Sequence, residues 1–133
     1  MLTLAREVLE EARRATLYSA KEALEAELGV LVAEITGGRY SQVAVDADGL
    51  ALRVLAPERA EPVAVALGGD LSTGTVEQIY LAARLALAKL LADGRHPPLL
   101  LDDPFLAFDA GRTRTTLALC RRMVAACEAV DDA

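Results

Sequence analysis

The chain of 133 residues predicts an α/β fold, and three observations carry that expectation. A charged stretch with leucines at helical spacing opens the sequence. Two alternating apolar runs around Asp48-Gly49 follow it. A continuous apolar run, Leu99–Leu101, then lies between two further helical stretches. With 53% hydrophobic residues the chain has enough apolar material for one core, and its length suits one domain or part of one.

From about Leu4 to Ile35 there is no proline, and no glycine before Gly29. Leu24, Leu28, Leu31 and Ile35 step by four, three and four, while Leu17, Leu24 and Leu31 step by seven. That stripe predicts a long helix over residues 1–36. It fits an ordinary amphipathic helix and the end of a longer coiled coil alike, because it is shorter than the three or four heptads that decide the matter. Gly29 weakens the helix locally, and Gly37-Gly38 ends it.

Residues 37–133 hold the rest of the fold. In "RYSQVAVDADGLALRVLAP", Asp48-Gly49 is a hairpin signal between two strands. Val43 and Val45 share a face, as do Leu50, Leu52 and Val54. "EPVAVAL" supplies a third strand after a turn near Pro57. A helix follows from about Thr73 to Leu91, with Val76, Ile79, Tyr80, Ala83, Leu87 and Leu90 on the expected core face and Asp93-Gly94 closing it. Leu99–Leu101 shows no alternation, which suits a strand of a parallel sheet buried on both faces. A final helix ends the chain.

The turn into the Thr73 helix raises a chemical question. In "GGDLSTGT", Gly69, Gly74 and Thr75 follow the outline G-x-x-x-x-G-[ST] of a phosphate-binding P-loop. That motif needs a lysine before the Ser/Thr to reach the β- and γ-phosphates. Thr75 follows Gly74 directly, and the two lysines, Lys21 and Lys89, are far away in sequence. A P-loop is therefore excluded. What survives is a helix N-terminus with free N–H groups and a positive dipole end, which suits an anion. A plain N-cap by Ser72 or Thr73 explains the same residues.

Asp102 and Asp103 end the leucine run. Carboxylates at the tip of a buried strand are costly without a cation. A divalent metal shared with substrate phosphates fits there, and ligands of open α/β sheets bind at such tips. The turn before Pro104 is the simpler role for the same pair. Net charge of −6 excludes a chain that binds nucleic acid through bulk basicity. The sequence holds no apolar run of transmembrane length and no signal-peptide pattern, so a cytoplasmic location is expected. Cys120 and Cys127 lack any CxxC or Cys/His context and suit reduced core thiols. His96, beside Pro97 and Pro98, suits a turn.

Taken together, Leu71–Thr75 ("LSTGT"), Leu99–Asp103 ("LLLDD") and Pro104–Asp109 ("PFLAFD") resemble, in order, the signature motif, Walker B and D-loop of an ABC-class ATPase. The likeness runs from about Glu22 to Arg122 and is nearest to the SMC and SbcC-like coiled-coil branch, including the bacterial YhaN-like ATPases. "TGGRYSQVAVD", leading out of the helix, is similar to that branch as well. The resemblance implies half of an ATPase head: coiled-coil end, β-hairpin layer, signature helix, Walker B strand and C-terminal helix. In that family two heads meet head to tail, and the signature of one contacts ATP held by the Walker A of the other. Ser72, Gly74 and Thr75 would then bind nucleotide in trans. Asp102 would hold Mg²⁺, Asp103 would polarise the attacking water, and Asp109 would lie at the dimer seam. Gln78 would steady the signature helix.

The departures are specific. Thr73 replaces a common glycine, Asp103 stands where glutamate is usual, and both Walker A and the switch histidine are absent. A fragment of a larger protein, or a separate gene product completed by a partner, accounts for this. The implied function is ATP-driven head closure in a homodimer of heads, with a Walker A lobe as partner. DNA repair or chromosome maintenance, DNA and a nuclease subunit follow from the resemblance alone. A non-catalytic dimerisation module derived from such a lobe is the alternative.

Overall fold

A computed structural model describes residues 1–46, 51–95 and 98–131, with side chains described as far as residue 125. The first helix, α1 (Leu2–Ile35), is as continuous as its lack of breakers requires. At about 1.5 Å per residue it is some 50 Å long. Residues 1–20 are all exposed, including Leu2, Val8, Leu9, Leu17 and Tyr18. Only the last two turns enter the core, through Leu28, Leu31, Val32 and Ile35. Gly29 has a positive role here: a Cβ at that position would stand 2.9 Å from the Ser41 carbonyl oxygen. The helix ends at Gly37 and Gly38, whose φ angles of 66° and 82° suit glycine. Their N–H groups donate to the Glu34 and Ala33 carbonyls.

Three short strands follow: β1 (Val43–Val45), β2 (Leu52–Val54) and β3 (Val63–Ala64), in the order β1-β2-β3 and antiparallel throughout. Val43 pairs with Val54 and Val45 with Leu52, so the four apolar side chains share one face, and all four are buried. The hairpin turn expected at Asp48-Gly49, with Leu50, lies outside the described residues. One carboxylate ties the sheet to the long helix: the Val45 N–H donates to Glu25 Oε1 at 2.7 Å.

Helix α2 (Thr73–Ala92) closes at Asp93, which adopts left-handed backbone, followed by Gly94 at φ 77°. Its core face overlaps the expected one at Val76, Ile79 and Ala83 but is rotated away from the rest. The buried residues are Thr75, Val76, Gln78, Ile79, Leu81, Ala82, Leu85 and Ala86. Of the expected stripe, Tyr80, Leu87 and Leu90 are exposed, as is Leu91 at 82%. The helix carries apolar residues nearly all round, so spacing alone does not fix which of them are core. Packing against α1 selected the side with the smaller alanines. Lys89 Nζ bonds Glu27 Oε1 at 2.6 Å across that contact.

Leu99–Leu101 departs from expectation as well. The segment is not a strand, Leu100 is 90% exposed and Leu101 38% exposed. A strand requires a neighbour, and among the described residues nothing pairs with this segment. The expected Walker B strand is thus an unpaired apolar stretch, and the described sheet, β1-β2-β3, is antiparallel and does not include it. The last helix, α3 (Ala110–Asp131), packs on α1 through Leu119 and Cys120 and is tied to it by an ion pair between Arg122 and Glu34. Burial pushes the Cys120 thiol pKa up. The Cys127 side chain and His96 lie outside the described residues. No described helix is long and apolar enough to cross a membrane.

Candidate functional site

The glycine turn and the start of α2 form the best-built part of the site. Ser72 is the N-cap, in extended backbone at φ −64°, ψ 150°. Its Oγ accepts the Thr75 N–H at 3.3 Å and lies 2.8 Å from Thr75 Oγ1. The helix therefore begins where a short polar side chain replaces a missing carbonyl. The Thr73 and Gly74 N–H groups bond no other described residue, as first-turn amides do. Ser72 is exposed and Gly74 half-buried, so this dipole end reaches solvent. Thr75, expected at the nucleotide, is buried at 8% exposure and engages Ser72 instead.

Gly74 also touches the second motif. A Cβ on Gly74 would stand 2.9 Å from the Ala107 carbonyl oxygen and 3.8 Å from Arg112 Nη1. The turn at the start of α2 and the "PFLAFD" segment are thus in contact, although more than thirty residues separate them in sequence. Glycine is needed here because backbone approaches backbone, not because φ is positive. Phe105 and Phe108 anchor the segment, with ring centroids 5.6 Å apart and both half-buried against the core.

Asp109 is the N-cap of α3. Its Oδ1 accepts the Arg112 N–H at 2.8 Å and its Oδ2 lies 3.2 Å from Arg112 Nε. Asp109 three residues before Arg112, at the start of a helix, is the local sequence signal for this cap. The Arg112 guanidinium is the cation nearest the Gly74 turn, while its pairing with Asp109 offsets part of that charge.

Asp102 and Asp103 form the weaker part. Both are exposed, lie in a bend, and make no hydrogen bond or ion pair with another described residue. Asp103 adopts left-handed backbone at φ 43°, which aspartate tolerates better than most residues. Strand alternation therefore does not separate the two carboxylates. No group of three or more His, Cys, Asp or Glu side chains gathers among the described residues. Two carboxylates match in number the one or two that Mg²⁺ takes alongside substrate phosphates, and they form no closed cage.

The site residues thus fall into two sets. Ser72, Gly74, Thr75 and the segment ending in Asp109 are brought together. Asp102 and Asp103 stand at the far end of that segment. No protein-family model and no curated protein matches the chain.

Proposed function

We propose that this chain is the signature and Walker B half of an ABC-class ATPase of the SMC- or SbcC-like kind, completed by a Walker A lobe. The observation that carries the proposal is the contact between Gly74 and Ala107, which joins the signature-like turn to the D-loop-like segment. Three motifs in family order give the resemblance, and this contact puts two of them in one place. In this reading Ser72 Oγ and the Thr73 and Gly74 N–H groups meet the γ-phosphate of ATP carried by an opposing lobe, favoured by the α2 dipole. Asp102 holds Mg²⁺ and Asp103 orients the attacking water. Asp109, besides capping α3, faces the seam between heads.

Two exposed apolar surfaces support the need for a partner. Leu100 and Leu101 are exposed with no described strand paired to them, and α2 turns Tyr80, Leu87, Leu90 and Leu91 outward. Such surfaces on a soluble chain mark contacts with other protein. The bare first half of α1 suits a second helix in a coiled coil. ATP and Mg²⁺ are the proposed cofactors, and work on DNA with a nuclease subunit belongs to the same proposal. The alternative, a dimerisation module without catalysis, draws on Asp103, an aspartate in an exposed bend where the family pattern has glutamate.

The test mixes the chain with the Walker A lobe of an SbcC-like ATPase and measures association by analytical ultracentrifugation. Association that requires ATP and Mg²⁺ is expected. Ser72→Arg should abolish it by filling the γ-phosphate position. Ser72→Asp, which keeps a capping oxygen but repels phosphate, should do the same with the fold intact. Association indifferent to ATP and to both variants would overturn the ATPase proposal in favour of the dimerisation module.

A further inference from the structure

Gln78 is 1% exposed, and its Nε2 is the one buried side-chain nitrogen or oxygen among the described residues with no hydrogen-bond partner. A buried amide that donates to nothing is costly, and folded proteins rarely keep one without a use. Its position narrows the use. Gln78 is one turn beyond Gly74 and on the same side of α2. At Gly74 that side meets the Ala107 carbonyl, in the segment between Pro104 and Phe108.

The segment is held by Phe105 and Phe108 against the core, while Leu106 and Ala107 between them are exposed. It hangs between Asp103, in left-handed backbone, and Asp109, fixed as the α3 cap. Inside it a single backbone hydrogen bond, Phe108 N–H to the Phe105 carbonyl at 3.0 Å, shapes the turn. The Ala107 carbonyl points at the Gly74 backbone and is satisfied by no described donor. A buried donor without an acceptor therefore lies about one helical turn from Gly74, the residue that the carbonyl of exposed Ala107 approaches.

We propose that Gln78 is a positioning residue for a two-state segment. In the arrangement seen, Gln78 Nε2 is unpaired and Ala107 abuts Gly74. In the second, the 104–108 segment shifts by pivoting at Asp103 and brings a segment carbonyl, Ala107 first, within reach of Nε2. The unpaired amide raises the energy of the first arrangement and so keeps the second accessible. Gln78 thereby links the start of α2 to the segment joining Asp102 and Asp103 to Asp109. The inference uses only this chain and is independent of whether the site binds nucleotide.

The test is ¹⁵N relaxation dispersion on the full chain, with thermal unfolding in parallel. The wild type should show microsecond-to-millisecond exchange at Leu106, Ala107 and Phe108 and at the Gln78 side-chain amide. Gln78→Met keeps the shape and deletes the donor. It should quench that exchange and raise Tm by roughly 3–6 °C, the shift expected when one unpaired buried donor is removed from a domain of this size. Flat dispersion in the wild type would overturn the inference without recourse to any variant. So would exchange that persists in Gln78→Met. A lowered Tm for that variant would mean that a buried water already satisfies Nε2, and would overturn it too.

Discussion

The start of α2 and the Asp102-Asp103 bend are the two places to which the proposed function assigns chemistry, yet the fold treats them differently. Ser72–Thr75 is fixed from three directions: the Ser72 cap, the buried Thr75 and Val76, and the Ala107 carbonyl against Gly74. Asp102 and Asp103 are exposed, unpaired with any described residue and outside every strand. Anion binding by backbone N–H groups needs only a helix end, which one chain supplies alone. Metal-and-water chemistry at a strand tip needs a sheet to hold the strand. Here the sheet is antiparallel and does not include residues 99–103, so among the described residues no strand holds the aspartates.

The contrast can be broken most severely at Asp103. In an assembled two-lobe enzyme, Asp103→Asn should slow single-turnover ATP hydrolysis by about 10²–10⁴-fold while leaving ATP affinity nearly unchanged. Asp102→Asn should weaken Mg²⁺-dependent ATP binding instead. Equal loss of binding in both would mean a joint metal site. Normal hydrolysis with Asp103→Asn would place the catalytic carboxylate elsewhere.

A middle-sized effect is expected at Gly74. Gly74→Val puts side-chain atoms where the Ala107 carbonyl already stands at 2.9 Å from an ideal Cβ. Overpacking of this kind costs about 1–3 kcal/mol, read as a lower urea midpoint at unchanged slope. Unaltered stability would show that the segment yields freely and that the two motifs are only loosely joined.

The smallest effects sharpen the comparison through what does not change. In the isolated chain Ser72→Ala should cost about 1 kcal/mol through the lost cap. Asp102→Asn and Asp103→Asn should stay within about 0.5 kcal/mol, as surface changes without a partner do. A marked loss from either asparagine, seen in the same urea titrations, would reveal a role for the pair inside this chain.

Much of the local structure was legible. Gly37-Gly38 stopped α1, the alternation of Val43, Val45, Leu52 and Val54 built one buried face, and Asp93-Gly94 closed α2. Ser72 was legible as a cap because N-caps depend on neighbours within one turn. The errors arose where burial depends on distant chain. Tyr80, Leu87 and Leu90 have the right spacing for a core face and are exposed, while Val76 and Ile79 of the same stripe are buried, because the core sits on a face turned toward Gln78, Ala82 and Leu85. Leu99–Leu101 has the composition of a buried strand, and composition supplies no partner. Asp109 was noticed for its motif, while its hydrogen bond to the Arg112 backbone was not.

The sequence by itself determined what short-range chemistry determines: helix limits, strand alternation, the cap at Ser72 and the exclusion of a P-loop for want of a lysine. Only the tertiary structure decided which side of α2 is core, that Gly74 meets Ala107, that Gly29 admits the Ser41 carbonyl, and that Gln78 is buried with an unused donor. Backbone preferences and caps act over about one helical turn. Burial and close approach are set by segments tens of residues apart, whose meeting no local pattern encodes.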